Sequence, residues 1–280
     1  MSARLRAVAR ETETIVEAGH YRTPQGREVS IERALTAALS GTGLYGPEPL
    51  HVAALDGNRT PHIEVTGESS LRAAARMTGE GPGKVAVLNY ASARNPGGGY
   101  LNGAQAQEEA LCRGSALYAT LLRAPEYYAH HRAERSAFYT DRVIHSPGVP
   151  VFRDDRGRLL DTPYAAGFLT SPAPNAGVIR SRTPESAHLI PAALASRAER
   201  VLEVAAVRGY RRLVLGAWGC GVFRNDPAEV AGAFRALLTG GGRFAGHFEQ
   251  IVFGVLDRAA DAPTRTAFER VFAADVQPSP

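Results

Sequence analysis

Apolar positions recur along the chain with two different periods. From Ser2 to Ala18, Leu5, Val8, Ile15 and Val16 fall on one stripe of a 3.6-residue repeat and predict an amphipathic helix. A second helix is expected over Ile31–Leu39, with Ser30 as its N-cap and Gly41 ending it. The Pro- and Gly-rich stretch from Gly41 to Pro49 reads as a connection. From His62 the texture changes. Ile63–Thr66 predicts a short strand, and Ser69–Met77 a helix capped by Ser69 or Ser70. Val85, Ala86, Val87 and Leu88, within Lys84–Tyr90, form a continuous apolar run, as in a strand buried on both faces. Strand, helix and strand in this order indicate a parallel crossover unit.

Further on, Ala104–Leu122 predicts a helix, and Arg142–Ser146, Val151–Arg153 and Ala165–Thr170 predict strands between Pro-Gly turns. A long helix is expected from about Ser186 to Arg208, with its start blurred by Pro191. Arg212–Leu215 and Gln250–Val255 read as strands, Pro227–Leu238 and Pro263–Phe272 as helices. The pattern is that of an α/β layered fold, with a mixed sheet and helices on both faces. Residues 1–50 are expected to be an N-terminal helical extension packed on a core domain of residues 51–280.

Composition narrows the setting. With 44% hydrophobic and 21% charged residues, the 280-residue chain has the make-up of a soluble globular protein. No stretch approaches the ~20 apolar residues needed to cross a bilayer, and Met1–His20 lacks the apolar run of a signal peptide. Two cysteines, Cys112 and Cys220, without paired spacing fit a reduced cytoplasm and argue against a disulfide scaffold. A cytoplasmic location is therefore expected, and a monomer is the working expectation for its assembly. The net charge of +4 and a sequence pI near 9.3 leave room for an anionic partner. No basic stripe with interleaved aromatics points to a nucleic-acid module.

The chemistry concentrates in two loops. Asn95-Pro96-Gly97-Gly98-Gly99 follows the strong strand and leads, through Asn102, Gln105 and Gln107, to Glu108 and Glu109. Ligands of open α/β sheets bind outside the carboxyl ends of strands, where glycines let the backbone approach closely and its N–H groups hold phosphate oxygens. The loop is not of Walker type, because no Gly-Lys-Ser/Thr follows. Acidic residues in a first helical turn commonly serve the helix dipole. Beside a nucleotide-like ligand, however, a carboxyl group can protonate a leaving glycosidic oxygen and then activate water. Neighbouring helical residues point about 100° apart, so the two glutamates are not expected to face one oxygen. The second loop, Gly216–Phe223, also follows an apolar strand. Gly219 and Gly221 suit a diphosphate, Phe223 could stack or pack, and Cys220 reads as a small buried residue, since no His follows at suggestive spacing. His130 and His131 sit in a charged stretch that reads as a solvated helix face, and His145 as a packed strand residue. No metal or cofactor is expected.

The triple glycine followed by Gln107-Glu108-Glu109 resembles the signature of the poly(ADP-ribose) glycohydrolases, and Val87–Pro96 is similar to the smaller microbial type. The resemblance extends over Ser146–Arg153 and Gly216–Pro227, so that it spans most of the chain from Ser2 to Phe272. It implies a macrodomain-like three-layer α/β/α fold preceded by a helical extension. It also implies exo-acting hydrolysis of ribose–ribose bonds in poly(ADP-ribose), with ADP-ribose and ADP-ribosylated macromolecules as partners. On this resemblance Glu109 is the catalytic acid/base and Glu108 positions ribose hydroxyls. Asn95, Gly97, Gly98 and Gly99 line the distal ribose, and Gln107 belongs to the substrate-binding set. Gly219, Cys220, Gly221, Val222 and Phe223 hold the diphosphate and set an aromatic ring against the sugar. A macrodomain enzyme that removes single ADP-ribose groups, or a non-catalytic ADP-ribose reader, would use the same pocket.

Overall fold

The computed structural model describes residues 2–53 and 60–275. Helix α1 (Ala3–Ala18) starts where the Ser2 hydroxyl accepts from the Leu5 N–H, and it stops at Gly19 in the left-handed region, whose N–H returns to the Ile15 carbonyl. A short hairpin of β1 (His20–Arg22) and β2 (Glu28–Ser30) follows, then α2 (Glu32–Gly41) and β3 (Gly43–Tyr45). The hairpin and β3 have no counterpart in the sequence pattern, because three-residue strands are too short to show a period. Ser30 lies in β2 and Ile31 is the N-cap of α2, although the Ser30 hydroxyl still accepts from the Glu32 N–H.

After β4 (His62–Thr66), α3 (Ser70–Gly79) and β5 (Val85–Tyr90), the segment expected as a single helix over Ala104–Leu122 is divided. A 3-10 turn at Tyr100–Asn102 precedes α4 (Gln107–Gly114) and α5 (Leu117–Leu121). Between the helices Ser115 is fully extended and bridges to Val151. Gly114 leaves room for Leu71, which a Cβ would meet at 2.7 Å. Tertiary pairing thus interrupts a segment whose local propensity is helical.

Helix α6 (Pro125–Ala133) is the helix expected around His130 and His131. The two expected strands Arg142–Ser146 and Val151–Arg153 are one, β6 (Val143–Arg153), which bulges at Gly148 with φ +55°. Ala165–Thr170 is the end of the longer β7 (Leu159–Ser171). Helix α7 (Ala176–Arg182), unforeseen, and a 3-10 turn at Pro184–Leu189 precede α8 (Ile190–Val207). Pro191 sits in the first turn of α8, where a missing N–H costs nothing. The chain ends with β8 (Arg212–Leu215), α9 (Pro227–Leu238), β9 (Gln250–Gly254) and α10 (Pro263–Val271), close to expectation.

Seven strands form one sheet in the order β3-β6-β7-β5-β8-β9-β4. The five from β7 to β4 are parallel, while β6 runs antiparallel to both β7 and β3. Alternation along β5 divides the core. Val85 and Val87 pack with α1–α6 on one face, and Ala86 and Leu88 pack with α7–α10 on the other. The result is a three-layer α/β/α body. Strand β3, from the first 50 residues, is an edge strand of the main sheet. Among the described residues no helix is long and apolar enough to cross a membrane.

Candidate active site

The carboxyl ends of β5, β8 and β9 open into a cavity of about 930 Å³. Both glycine loops reach it, as the crevice rule for α/β sheets requires. Its floor is the end of β5 and the first turn of α4, with Glu108 and Glu109 only 3% and 7% exposed.

The two carboxylates are held differently. Glu108 accepts from the Asn89 side-chain amide at 3.2 Å through Oε1 and from the Ser92 N–H at 2.7 Å through Oε2. Burial pushes its pKa up to about 8, and the Glu109 charge adds to the rise, while the Ser92 and Asn89 hydrogen bonds oppose it. Glu109 accepts from the Gly99 N–H at 2.8 Å through Oε1. Its other oxygen, Oε2, is buried with no hydrogen-bond partner among the described residues. The glycine loop makes this arrangement sterically feasible. Gly98 has φ +57°, and a Cβ there would lie 2.6 Å from Glu109 Oε1 and 3.3 Å from Glu108 Oε2. Gly97, with φ +64°, would press a Cβ against the Tyr118 ring at 2.9 Å.

Helix α1 splints this loop from behind. The Tyr100 hydroxyl donates to Glu13 Oε1 at 2.8 Å and lies 3.1 Å from the Ala9 carbonyl. The Ser2 N–H donates to the Gly103 carbonyl, and the Thr12 hydroxyl to the Arg113 carbonyl at the end of α4.

The second loop forms the opposite wall. Gly219, with φ +72°, has no space for a Cβ between Ala173 and the Asn225 amide, each 2.5 Å away. The Asn225 amide donates to the Gly219 carbonyl at 3.1 Å and the Pro174 carbonyl at 2.8 Å, which pins the turn. The buried Trp218 indole donates to the Ser171 carbonyl at 3.0 Å. Phe223 is half-buried and packs on Tyr139, ring centres 5.9 Å apart, while the Arg94 guanidinium covers the same Tyr139 ring. Tyr139 holds φ +58°, a strained conformation for an aromatic residue, at the cavity wall.

The model of the microbial-type PARG catalytic domain matches residues 9–154, about half the chain. The poly(ADP-ribose) glycohydrolase of Thermomonospora curvata is 51% identical and aligns with a TM-score of 0.92, over 97% of this chain and 100% of that one. The chain belongs to the poly(ADP-ribose) glycohydrolase family. A structure of the T. curvata enzyme bound to the inhibitor ADP-HPD aligns at 50% identity and a TM-score of 0.88, covering 96% of this chain and 99% of that one. The Deinococcus radiodurans enzyme in complex with ADP-ribose is 44% identical with a TM-score of 0.78, over 85% of this chain and 96% of that one. Comparison with curated proteins gives no match. The protein is thus a glycosidase with a macrodomain-like fold.

Of the glycohydrolase residues singled out from the sequence, Asn95, Gln107, Glu108, Glu109 and Gly219–Phe223 all line the one cavity. Gly97, Gly98 and Gly99 lie directly behind the carboxylates rather than at the cavity surface. The Gln107 amide is fully engaged within the protein, accepting from the Tyr90 N–H and donating to the Ser70 hydroxyl and the Leu88 carbonyl. It ties α4 to β5. Val222 is 81% exposed at the rim. Cys220 lines the wall, and burial together with Asp226 pushes its thiol up to about 12, so it is no nucleophile near neutral pH.

The histidines correct one expectation. His131 is not on a solvated face but fully buried, with its ring nitrogens at the Tyr127 carbonyl and the Thr140 hydroxyl. Burial pushes its pKa down to about 4. His145 is packed as expected, against the Tyr210 hydroxyl at 2.9 Å. Among the described residues, no three His, Cys, Asp or Glu side chains converge as a metal site would require.

Sequence reasoning missed Asn89, Ser92, Tyr139 and Asn225. Asn89 had a usable signal, an amide at the end of a strand otherwise read as wholly apolar. The others carry none.

Proposed function

We propose that this enzyme hydrolyses the ribose–ribose O-glycosidic bond of poly(ADP-ribose) from the chain end and releases ADP-ribose, with Glu109 as both acid and base. The observation that carries the assignment is the asymmetry of the pair. Both Glu108 oxygens already accept N–H donors, whereas Glu109, which lines the cavity, has one anchored oxygen and one without a hydrogen-bond partner. In the first step the protonated Glu109 gives its proton to the departing 2′-oxygen as positive charge grows on the anomeric carbon. In the second, the Glu109 carboxylate takes a proton from the water that adds to that carbon, which restores the acid. Glu108, held by Asn89 and Ser92, faces the hydroxyls of the sugar undergoing cleavage. The N–H groups of Gly219–Phe223 hold the diphosphate, and Phe223 with Tyr139 forms an apolar wall for the ribose. The relatives solved with ADP-ribose and with ADP-HPD support a pocket for this ligand class. In the same reading residues 1–50 are an extension of a catalytic domain, and α1 keeps the glycine loop in register.

A second reading, with Glu108 as the acid, has its raised pKa in favour and its two occupied oxygens against. Digests of poly(ADP-ribose) by the native protein, Glu109→Gln and Glu108→Gln separate the two. Glu109→Gln should lose turnover and still bind ADP-ribose. Substantial hydrolysis by that variant would overturn the assignment. For chain-end action ADP-ribose is the first product, and abundant oligomers early in the digest would contradict it.

A further inference from the structure

The cavity extends past the carboxylates. One lobe runs from Glu109 between the first turns of α1 and α4 to the turn that joins β6 to β7, Asp154–Gly157. No residue assigned above to the bound ADP-ribose lies in it. Its walls carry Arg4, Arg113 and Arg156; Arg4 and Arg156 pair with no carboxylate among the described residues, while Arg113 feels the charge of Glu109. Arg113 is half-buried and bonds only to the Ala104 carbonyl at 2.6 Å, while Arg4 donates to the Arg156 carbonyl at 3.1 Å. Of the acids nearby, only Asp154 is neutralised by a cation. Asp154 pairs with Arg158 at 2.7 Å, and Asp155 accepts from the Ser69 hydroxyl at 2.5 Å. Arg153, a fourth cation in this wall, is paired with Glu11 at 3.0 Å. Against Arg4, Arg113 and Arg156 stand the charges of Glu109 and Asp155, which leaves this wall one positive charge in excess, and a positive concave wall favours an anionic ligand.

We infer that this lobe is an anion subsite for the diphosphate of the polymer unit on the leaving side of the scissile bond. The departing oxygen is the 2′-oxygen of an adenosine, and the 5′-carbon of that same ribose carries the next diphosphate. An anion must therefore lie a few bonds beyond the atom that Glu109 protonates. Arg113 follows Glu109 by one helical turn on the same face of α4, which puts their Cβ atoms about 5–6 Å apart. Arg4 and Arg156 extend the positive wall outward from there. Their contribution is electrostatic and independent of base identity, so the subsite selects polymer over simple ADP-ribosides.

The inference rests on Glu109 acting at the scissile oxygen, and the test keeps the two claims apart. The native enzyme and the double variant Arg4→Ala/Arg156→Ala are compared on poly(ADP-ribose) and on an aryl O-glycoside of ADP-ribose, which has no diphosphate on the leaving side. The ratio of kcat/KM for polymer to that for the aryl glycoside should fall about tenfold, with a shallower salt dependence on polymer than the native enzyme shows. Arg156→Glu alone should move the ratio in the same direction. A ratio within twofold of native in both variants, with native turnover intact, overturns the subsite and leaves Glu109 untouched. Turnover by Glu109→Gln, or no cleavage of polymer by the native enzyme, overturns the reading beneath it and the subsite with it.

Discussion

Glu108→Gln isolates the cost of keeping a carboxyl group in the cavity floor. Glu108 is 3% exposed, and burial, reinforced by the neighbouring Glu109, pushes its pKa from an ordinary 4.5 up to about 8. The folded chain therefore binds this proton more tightly than the unfolded chain does. The resulting stabilisation is fully present below pH 4.5 and is lost as the pH rises through 8. At about 1.4 kcal/mol per pKa unit, the loss comes to about 5 kcal/mol. Glutamine keeps the shape and removes the titration, but its NH₂ must then face either the Ser92 N–H or the Asn89 amide. The second arrangement is the easier, because the unpartnered Asn89 Oδ1 can turn toward it. That mismatch costs about 1 kcal/mol. The variant should thus be slightly less stable than the native protein at pH 5 and about 3–4 kcal/mol more stable at pH 9. In calorimetric melts at pH 5, 7 and 9 the gap at the highest pH should reach about 6–16 °C, at ~2–4 °C per kcal/mol. A difference between variant and native protein that stays flat with pH would refute the reasoning.

Three other substitutions probe the supports of the site. Gly98→Ala places a methyl group 2.6 Å from Glu109 Oε1 at a positive φ. Displacement of the carboxylate should lower kcat about 100-fold, and left-handed strain should cost about 1–2 kcal/mol, read by steady-state kinetics and a thermal melt. Tyr100→Phe removes the hydroxyl that joins the glycine loop to Ala9 and Glu13. It should destabilise by about 1–3 kcal/mol and lower kcat more than it raises KM, and a change confined to KM would exclude Tyr100 from positioning. Asn225→Ala frees the Gly219 turn from its clamp at Pro174. ADP-ribose affinity measured by titration calorimetry should weaken about tenfold, corresponding to roughly 1.4 kcal/mol. Unchanged affinity would remove that loop from the diphosphate.

The alternation of strand and helix, the apolar runs of β5, β8 and β9, and the two glycine loops that follow β5 and β8 can all be read from the chain itself. They are legible because burial on both faces of a parallel strand leaves a local, contiguous signature, and because a close backbone approach requires glycine wherever the sheet happens to lie. Gln107-Glu108-Glu109 belongs to the same class of information. What local pattern could not contain is the sheet order β3-β6-β7-β5-β8-β9-β4, which sets β5 between β7 and β8. That order brings Ser171 and Trp218 together and places Tyr139 against Phe223 across large sequence separations. It also stops α4 at Ser115, where pairing with Val151 overrides helical propensity. The unequal roles of the two glutamates are likewise tertiary. Adjacent in sequence and alike in chemistry, they differ only because Asn89 and Ser92 occupy both oxygens of one, while Gly99 holds a single oxygen of the other and leaves its second without a partner.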